Sequence, residues 1–174
     1  MKRAALLLAD GFEEVEAVTP IDFLRRAEIE VITTGVTGKT VTGAHGIQIT
    51  ADKELKEVVQ MAGQLDAVIL PGGMPGADNL AASSETVDLL KKAAGSGKIV
   101  AAICASPAVV LSPIGLLAGK QVTCYPGFED RITDGQLNAM QAGFERNLAV
   151  AILLREAVDT GDTDDVATCH AQRH

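Results

Sequence analysis

The chain has 174 residues, 47% apolar but only 3% aromatic, and a formal charge of −8. That acidity argues against nucleic acid or an anionic membrane surface as a partner. Three cysteines at irregular spacing make no disulfide framework, which points to a reducing cytoplasm.

A core built from Ala, Val, Ile and Leu suits helices packed on a parallel sheet. The length predicts one domain over residues 1–158 and an acidic, frayed tail over 159–174. The start, Met1 to Ala9, imitates a signal peptide, but its apolar run stops at Asp10 and no cleavage-like site follows. It reads instead as a first strand, Ala4 to Leu8. Asp10 and Glu13 have the spacing of a capping box for a helix from about Gly11 to Arg26. Pro20 inside it has no N–H for the Glu16 carbonyl and should kink or loosen it. A second strand follows over Glu30 to Thr34. Val41-Thr42 and Ile47 to Thr50, parted by Gly43 and Gly46, suggest a short hairpin. Leu55 to Met61 fits a short helix.

Ala67 to Leu70 is a wholly apolar strand that stops at Pro71-Gly72-Gly73. Ser84 is the expected cap of a helix to about Ala94, closed by Gly95 and Gly97. Ile99 to Ile103 reads as a strand buried on both faces and runs straight into Cys104. Pro107 then suits a first helical turn. Gln121 to Cys124 resembles another strand, and Glu145 to Ala157 a last helix burying Leu148, Ile152 and Leu153. Strands alternating with helices call for a doubly wound, mostly parallel sheet of flavodoxin-like type, with ligands beyond the strands' carboxyl ends. Cys104, Gly72-Gly73 and Asp10 to Glu16 all follow strand ends, so they should meet at one edge.

That meeting has a chemistry. A cysteine between a strand and a helix has free N–H groups beside its sulfur, a setting that lowers a thiol pKa. The Gly72-Gly73 stretch, where glycine lets N–H groups point into a pocket, would with the Ala105 N–H offer two donors to an oxyanion. Glu16, raised in pKa by a nearby thiolate and by burial, could stay protonated and relay a proton. Glu13 and Glu14 read as solvated surface glutamates, and Cys124 as structural. His45, His170 and His174 are the only histidines, and none follows a strand near Cys104. A Cys-His hydrolase is therefore poorly supported, although His45 could reach the pocket from the hairpin or from a second subunit. Cys169, His170 and His174 form a weak metal pattern in the tail, and neither metal nor cofactor is expected.

Ala9-Asp-Gly-Phe-Glu-Glu-Val-Glu16, Leu70-Pro-Gly-Gly73 with Asn79-Leu80, and Ala101-Ala-Ile-Cys-Ala-Ser-Pro107 resemble the ThiJ/PfpI family, nearest to the branch of the deglycase DJ-one. The resemblance covers Lys2 to about Arg131. It implies a flavodoxin-like, class I glutamine amidotransferase-like fold and a homodimer. It also implies a reactive Cys104 at a nucleophile elbow, a protonated Glu16 against it, and N–H groups from Gly73 and Ala105. Activities it suggests are cofactor-free conversion of methylglyoxal or glyoxal, or removal of their protein adducts. Oxidative-stress sensing and chaperone activity are the alternatives, and peptidase or amidase activity is a lower one. Two departures stand out. Tyr125 lies where many relatives have a histidine, and is itself a pocket candidate. Relatives also carry a strand and a Gly-Pro-Gly turn before the last helix, whereas here Asn138 to Gly143 runs almost straight into Phe144-Glu145.

Overall fold

The structure, a computed structural model, describes residues 1–137 and the backbone of a strand over 152–154. β1 (Arg3–Leu8) leads through a tight turn to α1 (Glu14–Arg26), and β2 (Glu30–Gly35) returns beside β1. β3 (Thr40–Thr42) and β4 (Gln48–Thr50) make the expected hairpin. After it come β5 (Lys53–Glu54), α2 (Leu55–Gln60) and β6 (Ala67–Leu70). α3 (Gly76–Ala82), α4 (Ser84–Gly95) and β7 (Ile99–Ala102) complete the core. β8 (Gln121–Val122) pairs with β9 (Gln136–Leu137) apart from the main sheet, and β10 (Ile152–Leu154) closes that sheet's edge.

The main sheet has the order β10-β7-β6-β1-β2-β5 and is parallel except for β10, which runs antiparallel to β7. Successive residues of β1 serve opposite faces. Ala5 and Leu7 join the core with Leu70, Leu90, Val100 and Leu111, while Leu6 and Leu8 join Phe12, Ala17, Val31 and Val41. Leu6, Leu7 and Leu8 are all fully buried. Each contributes about 1.5–3 kcal/mol of burial, which is why an unbroken apolar run serves here. The chain passes from β1 to β2 on one flank and returns to lay β6 on the other. The carboxyl ends of β1 and β6 therefore flank the point where strand order reverses, and a crevice opens at such a point.

Several local expectations are corrected. α1 begins at Glu14 after a Glu13 cap that makes no side-chain bond. Asp10 cannot cap it, because its carboxylate accepts the Thr42 N–H at 2.8 Å and so ties the turn to the hairpin. α1 runs without a break through Pro20. The α4 cap is Ser83, whose hydroxyl accepts the Thr86 N–H at 3.2 Å, one residue earlier than expected. β8 stops at Val122, so Cys124 lies beyond it. Residues 152–154 are a strand paired to β7, not part of a helix, because sheet pairing outweighs a helical apolar period. The rest of that expected helix, and the tail with Cys169, His170 and His174, lie outside the described residues.

Candidate active site around Cys104

Register carries Cys104 to its place. β6 and β7 pair with Leu70 opposite Ala102, and the Ile103 N–H extends the ladder to the Leu70 carbonyl at 3.2 Å. Cys104 then leaves the sheet beside Pro71-Gly72-Gly73 with φ +61°, a left-handed conformation uncommon for a side-chain-bearing residue. Two contacts hold it there. The buried Ser106 hydroxyl donates to the Pro71 carbonyl at 2.6 Å, and the Tyr125 N–H donates to the Cys104 carbonyl at 2.8 Å. A short π-helical stretch, Pro107–Leu111, follows.

Glu16, on the first turn of α1, reaches the same point. Its Oε2 accepts the Gly72 N–H at 2.8 Å, so that N–H is committed to the carboxylate. A Cβ at Gly72 would lie 2.5 Å from Cys104 Cβ, 2.6 Å from Glu16 Oε2 and 3.1 Å from Cys104 Sγ. Only glycine leaves room for the thiol and the carboxyl to meet. Gly73 is equally constrained, with φ +90° and a would-be Cβ that collides with the Glu13 nitrogen and the Gly11 carbonyl. The Gly73 and Ala105 N–H groups both favour a charged sulfur, which places their donors on the side of the thiol. The structure thus brings together Cys104, Glu16, Gly72, Gly73 and Ala105.

The electrostatics correct one expectation. Burial pushes the Cys104 thiol up to about 11, with the negative charge of Glu16 and its hydrogen bond adding to the rise. The Gly73 and Ala105 N–H groups pull the other way without prevailing. Burial likewise raises Glu16, against the bonds from Gly72 and Cys104. Two half-buried acids in contact favour holding a proton between them over two negative charges. A cysteine in a tight turn with N–H donors promised a low pKa. Desolvation and the facing carboxylate reverse that.

The other candidates divide. Tyr125 is partly exposed, its ring edge-on to Phe128 at 6.3 Å, and it meets Cys104 through its backbone. His45 is paired elsewhere: its Nδ1 lies 3.0 Å from Glu14 Oε2 and 3.6 Å from Glu13 Oε1. Glu14, expected to be a solvated surface residue, is buried. Its Oε1 accepts the N–H groups of His45 at 2.8 Å and Ile47 at 3.3 Å. Burial works to raise its pKa, but the His45 bond and the backbone N–H groups outweigh it and take the carboxyl down to about 2. Gly43 was the available signal, since a Cβ there would collide with the Glu14 carboxylate. Ser106 and Asn79 also went unassigned to roles. Asn79 donates to the Asp10 carbonyl at 2.8 Å and steadies the turn after β1. Cys124 is half-buried, its thiol pushed up to about 11 by burial and by Glu129.

This arrangement matches known proteins along most of its length. DJ-1 homolog B of Arabidopsis thaliana is 41% identical over 128 residues, 73% of this chain and 29% of that protein. The chain thus spans under a third of the plant protein's length. A deglycase of Pyrococcus abyssi is 32% identical over 140 residues, 80% of this chain and 82% of that one. The solved structure of oxidized Toxoplasma gondii DJ-1 superposes with a TM-score of 0.72 at 40% identity, covering 75% of this chain and 71% of that chain. The DJ-1/PfpI family model matches residues 2–162. The chain belongs to the DJ-1/PfpI family.

Proposed function

We propose that the protein is a cysteine-dependent, cofactor-free enzyme acting on α-oxoaldehydes such as methylglyoxal, or on the adducts they form with proteins. The observation that carries this reading is the meeting of Cys104 and Glu16 across Gly72, with the Gly73 and Ala105 N–H groups beside the sulfur. The likeness to a deglycase supports it.

Each role follows from position. The thiol holds its proton at rest, so Glu16 takes that proton as Sγ attacks the aldehyde carbon. The carbonyl oxygen becomes an oxyanion beside the Gly73 and Ala105 N–H groups and is then protonated from Glu16, giving a hemithioacetal. Glu16 next removes the hydrogen of that carbon and returns it to the neighbouring carbon, while the hydroxyl proton passes to the neighbouring carbonyl oxygen. The first carbon is oxidised to a thioester while the second is reduced to an alcohol, so no outside oxidant is needed. Water cleaves the thioester, freeing the hydroxy acid and restoring the thiol. The net change is methylglyoxal plus water to lactate and a proton.

The test is lactate formation from methylglyoxal by the purified full chain. Activity lost in Cys104→Ser and reduced in Glu16→Gln supports the reading. No lactate, where the Pyrococcus deglycase run in parallel forms it, overturns it.

One observation favours a second reading. N–H donors and a carboxyl around one sulfur would also hold a sulfinate, and a relative has been solved in an oxidized form. Under that reading, mild peroxide oxidises Cys104 ahead of Cys124 and Cys169, which peptide mass spectrometry reads directly. A homodimer in the cytoplasm completes the proposal. Val15 and Val18 are exposed one turn apart on α1, and Ile47 is exposed on the adjoining hairpin, an apolar face suited to a second copy. Among the described residues, no helix is long and apolar enough to cross a membrane.

A further inference from the structure

The start of α1 and the turn between β3 and β4 bring three donor groups together beside the Cys104 pocket. Glu13, Glu14 and His45 each offer one ligand atom, and these atoms lie within 4.8 Å of one another. We propose that Glu13, Glu14 and His45 form a three-ligand site for a divalent cation of the zinc class, clipping the helix start to the hairpin turn. The site uses none of the groups around the Cys104 sulfur, although it adjoins them, since the charge of Glu13 acts on Glu16.

The geometry suits such an ion. Zinc held about 2.0–2.1 Å from nitrogen and oxygen donors sets donor-to-donor edges of roughly 3.0–3.4 Å. His45 Nδ1 lies 3.0 Å from Glu14 Oε2 and 3.6 Å from Glu13 Oε1, so small side-chain rotations close the set once the ion displaces the proton of the His45–Glu14 hydrogen bond to solvent.

The donors are also held as metal ligands are. Glu14 is 5% exposed, and two backbone N–H groups fix its Oε1, which leaves Oε2 facing the His45 ring. A ligating carboxylate oriented by further hydrogen bonds is a recurrent part of metal sites. Gly43 makes room for that carboxylate, and the Glu13 backbone is fixed by its N–H bond to the Gly72 carbonyl at 3.0 Å. His45 is exposed in the single chain, which leaves a fourth position for water or for a donor of the second copy, as in three-ligand zinc sites. One imidazole and two carboxylates favour zinc, cobalt or nickel over the all-oxygen sets that hold calcium and magnesium.

The test uses the full chain with Cys169→Ser, His170→Asn and His174→Asn, so that the tail cannot compete. Zn²⁺ is titrated by calorimetry and Co²⁺ by absorption. The expected result is one ion per chain, cobalt d–d bands without thiolate charge transfer, and a Zn²⁺-dependent rise in Tm. His45→Asn and Glu13→Gln should each weaken Zn²⁺ about tenfold or more and abolish the Tm rise. His45 is exposed, so its replacement leaves the fold intact. No binding overturns the proposal. So does affinity unchanged in both variants, or a thiolate charge-transfer band placing the ion on cysteine.

Discussion

The Gly72 N–H donates to Glu16 Oε2 across 56 positions of sequence, and that bond sets the carboxyl against Cys104. It joins the loop after β6 to α1 at the point where strand order reverses, and the missing Cβ of Gly72 makes the approach possible. Gly72→Ala should therefore force Cys104 and Glu16 apart. Overpacking of this kind costs about 1–3 kcal/mol. A lower Tm together with loss of lactate formation is the expected outcome, and an alanine variant with full activity would contradict it.

The thiol should titrate high and respond to Glu16. Burial and the carboxylate hold its proton to about 11 in the wild type. Glu16→Gln removes the negative charge, so the midpoint of the rate of iodoacetamide alkylation against pH should move down. A midpoint that moves up would mean that the carboxyl was protonated and had been stabilising a thiolate.

Glu14 locks the hairpin turn to α1. Glu14→Ala leaves the His45 and Ile47 N–H groups without their acceptor, and hydrogen bonds to a charged group contribute about 1.5–3 kcal/mol. Denaturant unfolding at neutral pH should show a loss in that range. Gly43→Ala should also destabilise, because its methyl group would meet the carboxylate.

Asp52 ties β2 to the segment before β5. Its Oδ2 accepts the Thr33 N–H at 2.9 Å and the Thr33 hydroxyl at 2.8 Å. Burial works to raise its pKa, but the Thr33 bonds and the charges of Arg25 and Lys39 prevail and lower it from 3.8. A depressed carboxyl stabilises the fold above its unfolded pKa, and that contribution fades as pH falls through the folded value. Asp52→Asn should accordingly flatten the acid limb of Tm against pH below about 4, with little change in its slope near neutrality.

Self-association through the outer face of α1 is checked by sedimentation velocity. Val18→Asp places a charge on that apolar face and should convert a dimer to monomer with the fold intact by circular dichroism. A dimer that survives both Val18→Asp and Val15→Asp would place the contact elsewhere.

Much of the frame was legible in the sequence, because strands buried on both faces write themselves as continuous apolar runs. Ala4 to Leu8, Ala67 to Leu70 and Ile99 onward were readable for that reason, as were the turns at Pro71 and Cys104. Edges were less legible. β10 has only three residues and takes its form from pairing with β7, which local periodicity cannot express. The true caps are Glu13 and Ser83: the distant Thr42 N–H claims the Asp10 carboxylate, and it is the Ser83 hydroxyl, one position before Ser84, that accepts the Thr86 N–H.

By itself the sequence determined the parallel α/β frame, the cysteine at the strand end and the glycines beside it, since these depend on local apolar runs and backbone freedom. Tertiary structure decided the fates of Glu13, Glu14 and Glu16, three glutamates within four positions. Glu16 meets Cys104 because Gly72 arrives without a Cβ. Glu14 is buried because the hairpin brings Gly43 and His45 over it. Tertiary structure also decided the direction of the thiol's pKa. Desolvation and a facing carboxylate come from the packing of separate elements, and they outweigh the N–H donors that the local turn supplies.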